Sequence, residues 1–125
     1  MELVSVQSRP RALVRDLADE MHEAFDRPEY FHLGCDEADE PSCAKCRAAK
    51  PYASLVVQHI KEANDMFAKK GVKTMMWHDM LLERGDQRWK GLVANGSKST
   101  SAMLKDLPKD MIICDWYYEG PLEDV

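Results

Sequence analysis

Asp36 and Glu37 stand side by side directly after a short apolar run, Tyr30-Phe31-His32-Leu33, and a small-residue turn, Gly34-Cys35. Like charges held this close resist ionising together, so one carboxyl can keep its proton near neutral pH and serve as an acid. The same residues also read as a strand followed by an acidic loop, because Asp39 and Glu40 carry the charge onward. Perturbed acids cluster at functional sites, and this pair is therefore the first candidate.

Two further apolar runs end in similar chemistry. Val72 to Trp77 leads into His78-Asp79, and Met111 to Cys114 leads into Asp115-Trp116-Tyr117-Tyr118. Acids interleaved with tryptophan and tyrosine suit a sugar, since aromatic faces stack on the C–H face of a pyranose while carboxylates and phenols bond its hydroxyls. Core packing is the other reading of each tryptophan, and Trp89 has no assignable role. Cysteine points elsewhere. Cys43-x-x-Cys46 has the spacing of a zinc knuckle or a redox pair. Its nearest further ligands, Cys35 and His32, lie on or beside a strand whose side chains alternate, which makes convergence on one metal awkward. A local pair or plain thiols are the other readings, with Cys114 a small buried hydrophobe.

The elements that must position these residues follow from periodicity. Leu13, Val14, Leu17, Met21, Ala24 and Phe25 form one helical stripe, with Ser8 as a cap and Pro10 in the first turn. Leu55, Val56, His59, Ile60, Ala63, Met66 and Phe67 form a second, terminated by Gly71. A third, shorter helix runs from about 101 to 107 and stops at Pro108. Helix and strand therefore alternate three times. The strands are near-continuous apolar runs, as expected for parallel strands covered on both faces. The stretch 83–100 is long for a structural connection and is expected to be a functional loop. In parallel α/β folds the carboxyl ends of the strands form the binding face, so the three acidic and aromatic strand ends are expected to converge.

Composition sets the outer limits. The 125 residues are 45% hydrophobic, enough for a core, with a net charge of -5. Mixed charge and an acidic balance argue against a nucleic-acid surface. No apolar run approaches the ~20 residues that span a bilayer, so no membrane partner is expected. Residues 1–15 carry Arg9, Arg11 and Arg15 and lack the apolar core of a signal peptide, and no localisation follows.

His32-Leu33-Gly34-Cys35-Asp36-Glu37 resembles the His-x-Gly-Gly-Asp-Glu signature of glycoside hydrolase family 20, the β-N-acetylhexosaminidases. The likeness extends in order along the chain. Ser8-Arg9-Pro10 and its helix resemble the helix before the signature strand. Thr74-Met75-Met76-Trp77-His78-Asp79 and Ile112-Ile113-Cys114-Asp115-Trp116-Tyr117-Tyr118 resemble the next two strands, each of which carries a pocket tryptophan. One position departs, because Cys35 stands where the signature has its second glycine. If that site needs a positive φ, cysteine strains it, and if it needs only a small residue, cysteine fits.

The resemblance implies substrate-assisted retention, an exception to the two-carboxylate scheme. The carbonyl oxygen of the sugar's 2-acetamido group attacks the anomeric carbon and forms an oxazolinium intermediate. It implies Glu37 as the acid and then the base, Asp36 as the group that orients the acetamido N–H, and Trp77, Asp79, Trp116 and Tyr117 as pocket residues. His32 is expected to support the site through hydrogen bonds to other strand ends. No cofactor or metal is implied, and the partner is a carbohydrate with a terminal N-acetylhexosamine.

The implied fold is α/β, part of a (β/α)8 barrel comprising about three βα units that resemble strands four to six. A whole barrel needs roughly 250 residues. Residues 1–125 are thus expected to be one partial catalytic domain, inactive or poorly folded alone unless self-association through its open sheet edges completes the sheet. Two other classes stay open: an α/β module binding a divalent cation through Asp36, Glu37, Asp79 and Asp115, and a zinc or redox module built on Cys35, Cys43 and Cys46.

Overall fold

The computed structural model describes residues 8–38, 43–49 and 51–116. Helix α1 spans Ser8–Ala24, strand β1 Tyr30–His32, helix α2 Ala44–Ala49, helix α3 Tyr52–Ala68, strand β2 Lys73–Trp77, helix α4 Lys98–Ser101 and strand β3 Ile112–Cys114. Short 3₁₀ turns lie at Asp79–Leu81, Gln87–Trp89 and Ala102–Asp106. The strands form one parallel sheet in the order β1-β2-β3. Phe31 pairs with Thr74 and Trp77 with Cys114. The ladder runs past the strand ends, where the Trp77 N–H donates to the Gly34 carbonyl and the His78 N–H to the Cys114 carbonyl, each at 3.0 Å. These two bonds bring the three strand ends level.

Helix α3 buries the stripe its period predicts, with Leu55, Val56, Ile60 and Phe67 inside. It ends around Gly71, at φ +75°, where the Val72 N–H reaches back to the Phe67 carbonyl. Thr74 and Met76 of β2 are fully buried, and the Thr74 hydroxyl bonds the Asn64 side chain of α3, which satisfies two buried polar groups. The main core joins Val56, Ile60, Met76, Met80, Leu81, Met103 and Leu107, and a second cluster joins Ala18, Phe67 and Val72. Apart from Ala18, each such side chain contributes roughly 1.5–3 kcal/mol on burial.

Three expectations change. The apolar stripe of α1 is not its buried face: Leu13 and Phe25 are 68% and 69% exposed, while Ala18 and His22 are buried. Ala18 and His22 pack toward Phe67, and no described element covers the opposite side. Nor are the strands covered on both faces, since Ile112 and Ile113 of β3 are open to solvent. The third helix starts earlier than its apolar period suggests, at a capping box in which Ser97 and Thr100 bond reciprocally, and tightens into the 3₁₀ turn before Pro108. The expected long loop thus closes at Ser97. Asp39, Glu40, Tyr117 and Tyr118 lie outside the described residues, as do the side chains of Ser8, Pro10 and Cys46. No described helix is long and apolar enough to cross a membrane.

Candidate active site

The turn after β1 is built from unusual backbone. Gly34, Cys35 and Glu37 all have positive φ, at +73°, +66° and +45°. The position that resembles the signature's second glycine does therefore need left-handed backbone, and cysteine there costs roughly 1–2 kcal/mol. In return, its side chain packs against the main core cluster. The turn lifts Asp36 and Glu37 into solvent. Directly beneath them, the Glu37 N–H donates to Asp79 Oδ2 at 3.0 Å. On the far side of the turn, the Tyr52 hydroxyl donates to the Ala38 carbonyl at 2.7 Å. The acid pair is thereby fixed to β2 and to the start of α3.

The hydrogen bond of His32 lies within its own turn, and among the described residues none carries it to another strand end. Its Nδ1 accepts the Gly34 N–H at 3.0 Å, and its ring lies 4.4 Å from that of Trp77. Burial holds the imidazole below its ordinary pKa against the opposing pull of Asp36, so the ring stays neutral and Nδ1 remains an acceptor. Trp77 in turn lies 6.3 Å from Trp116, ring centre to ring centre. His32, Trp77 and Trp116 therefore form one half-buried aromatic wall across the three strand ends. His78 Nδ1 comes within 3.2 Å of Asp115 Oδ1 without the alignment of a hydrogen bond.

Asp79 departs from expectation. A pocket residue should face the ligand, yet Asp79 is fully buried. The 3₁₀ turn that begins at this residue directs its carboxylate inward, under the acid turn. Its Oδ2 also accepts from Asn95 Nδ2 at 3.0 Å, and its main-chain carbonyl accepts the N–H groups of Asn95 and Gly96. Asn95 and Tyr52 were not legible as site residues, although Asn95-Gly96 is a turn signal inside the long loop. Tyr117 lies outside the described residues. Among the described residues, no group of three or more His, Cys, Asp or Glu side chains is placed to hold a metal ion. The four strand-end carboxylates thus do not assemble into the cation site of the alternative reading.

The half-buried Cys35 thiol lies 3.7 Å from the Leu33 carbonyl oxygen. Burial, reinforced by Asp36 and Asp79, pushes it up from 9.0 to about 12. Unfolded, the thiol ionises above pH 9, whereas folded it keeps its proton. Its contribution to stability is therefore complete below pH 9 and falls by about 1.4 kcal/mol per pH unit toward pH 12. Urea midpoints at pH 8 and 10.5 should show a steeper alkaline loss in the natural chain than in Cys35→Ala. Equal losses would mean that the thiol is not buried in its protonated form.

Parallel strands separated by helices, with acids and aromatics gathered at their carboxyl ends, define a segment of a (β/α)8 barrel. The family model for the glycosyl hydrolase family 20 catalytic domain matches residues 3–120, and the chain belongs to that family. A solved structure described as dispersin B matches 94% of this chain with a TM-score of 0.56 and 18% sequence identity, a likeness that establishes the fold. The chain spans 27% of the length of that structure. No curated protein matches the chain.

Proposed function

We propose that this chain supplies the acid turn and one aromatic wall of a glycosidase that removes terminal N-acetyl-β-hexosamine by substrate-assisted retention. One observation carries this reading: Asp36 and Glu37 are exposed at the end of β1, beside the aromatic wall of Trp77 and Trp116 at the ends of the next two strands. Glu37 protonates the departing glycosidic oxygen and then takes a proton from the incoming water. Asp36 accepts the acetamido N–H, which orients the carbonyl oxygen toward the anomeric carbon and stabilises the positive charge that develops on the ring nitrogen. Trp77 and Trp116 stack on the sugar and acetamido group and exclude water, with Tyr117 as a further hydroxyl partner. Family membership supports the reaction class.

The uncovered stripe of α1 and the open face of β3 support the view that these elements work within a larger barrel. Residues 1–125 alone are accordingly proposed to be inactive and prone to associate through the sheet edges. The test is chemical. In an active barrel containing these residues, an aryl N-acetyl-β-hexosaminide should be cleaved and the matching aryl β-glucoside, which lacks the internal nucleophile, should not. Replacing the acetamido methyl by trifluoromethyl should slow cleavage, because it withdraws electrons from the attacking oxygen. Equal rates across this series would sink the mechanism.

A further inference from the structure

The Glu37 main chain is bonded to a carboxyl group that is fully buried beneath it. We infer that Asp79 is a positioning residue for the acid turn, and that Asn95 couples that turn to the loop between residues 83 and 97. The inference rests on the reading of Glu37 as the acid, but the contact itself is independent of that reading.

Asp79 is fully buried, and its Oδ2 accepts the Glu37 N–H from one side and the Asn95 side-chain amide from another. Its Oδ1 is buried with no hydrogen-bond partner among the described residues. A buried carboxylate with a bare oxygen is a poor way to stabilise a fold, since desolvation outweighs what the remaining bonds return. The arrangement makes better sense as a means of placement. Glu37 sits at φ +45° and Cys35 at +66°, conformations that persist only where the surroundings impose them. The hydrogen bond to Asp79 is a charge-assisted restraint directed at that strained segment.

Asn95 makes the restraint conditional on the loop. Its own N–H and that of Gly96 bond the Asp79 carbonyl, while its side chain meets the same Oδ2 that holds Glu37. The Arg84 guanidinium caps the arrangement from outside by donating to Asn95 Oδ1 at 3.1 Å. Movement of the loop thus alters the position and the electron density of the acceptor that fixes the acid turn. Asp79 and Asn95 adjust where Glu37 stands without contacting the substrate.

Amide hydrogen exchange on a barrel containing these residues tests the inference without an activity readout. The Glu37 amide should be protected although its side chain is exposed. Asn95→Ala should raise its exchange rate by roughly tenfold or more, the range expected for loosening a bond to a charged group. The amides of Thr74, Met75 and Met76 in β2 should hold their rates. Asp79→Asn, which keeps an acceptor, should preserve part of the protection. Asp79→Ala, which removes the acceptor, should abolish the protection; should it fail to fold, Asn95→Ala and Asp79→Asn decide the matter. An unprotected Glu37 amide, or a rise in exchange shared equally by β2, would overturn the proposal. The leaving-group and acetamido comparisons judge the acid reading separately, so the two can fail independently.

Discussion

Replacing Glu37 by Gln should lower turnover of substrates with poor leaving groups by roughly 10²–10⁴-fold, the usual contribution of a positioned acid. Alkoxide leaving groups depart only when protonated, and an amide cannot supply the proton. Aryl groups that leave as stabilised phenolates need little help, so their cleavage should suffer far less in the first step. The second step also loses its base, since the amide cannot accept a proton from water. Azide, an anion that needs no base, should therefore restore much of the lost rate with the aryl substrates. The substitution is nearly isosteric at an exposed side chain, and folding should not change. The contact that holds the turn is made by the Glu37 backbone, which glutamine retains. Equal losses on both substrate classes would remove Glu37 from the role of acid.

The architecture was more legible than the wiring of the site. Strands were readable because each apolar run stops abruptly at charged or aromatic residues, and their order in the sheet is the one that the resemblance to consecutive barrel strands implies. Helix α3 was readable for a related reason: its period matches the face that β2 covers. Helix α1 shows the limit of that logic. Its period correctly gives an amphipathic helix, but periodicity says nothing about which partner is present. Phe67 of α3 takes Ala18 and His22, while Leu13, Leu17 and Phe25 remain open. Helix α2, at six residues, is too short to impose a period at all.

At the site, residue types predicted location but not direction. Trp77 and Asp79 are two positions apart, a spacing that in a continuing strand would place both on one face. The strand ends at Trp77 and a 3₁₀ turn begins at Asp79, which sends the carboxylate under the acid turn. Similarly, His32 satisfies its Nδ1 from Gly34, two residues away, before it can reach another strand. Asn95 comes from 16 residues downstream of Asp79, and nothing local in the sequence specifies that meeting. Such contacts depend on where a loop docks, which only the assembled core determines.

That docking depends on Gly96, and Gly96→Ala should have the largest effect on stability of any substitution considered. A β-carbon there would lie 2.4 Å from the Met80 carbonyl oxygen and 2.7 Å from that of Leu82. Neither oxygen can retreat easily, because Met80 and Leu81 are anchored in the main core. The Gly96 N–H is shared between the Asp79 and Leu82 carbonyls, and its own carbonyl accepts from Arg84. Displacing the residue therefore breaks several bonds at once, on top of an overpacking penalty of about 1–3 kcal/mol. A combined loss on the order of 3 kcal/mol or more is expected, read from urea unfolding. Gly91→Ala is the matched control. Gly91 has φ +93° but nothing near its missing β-carbon, so alanine there should cost only about 1–2 kcal/mol of backbone strain. If Gly96→Ala is no worse than Gly91→Ala, the loop does not dock as described, and the link from Asn95 through Asp79 to the acid turn goes with it. If it is much worse, the same displacement should also release the Glu37 amide. One missing methyl group beneath the loop would then hold the proposed acid in place from across the strand ends.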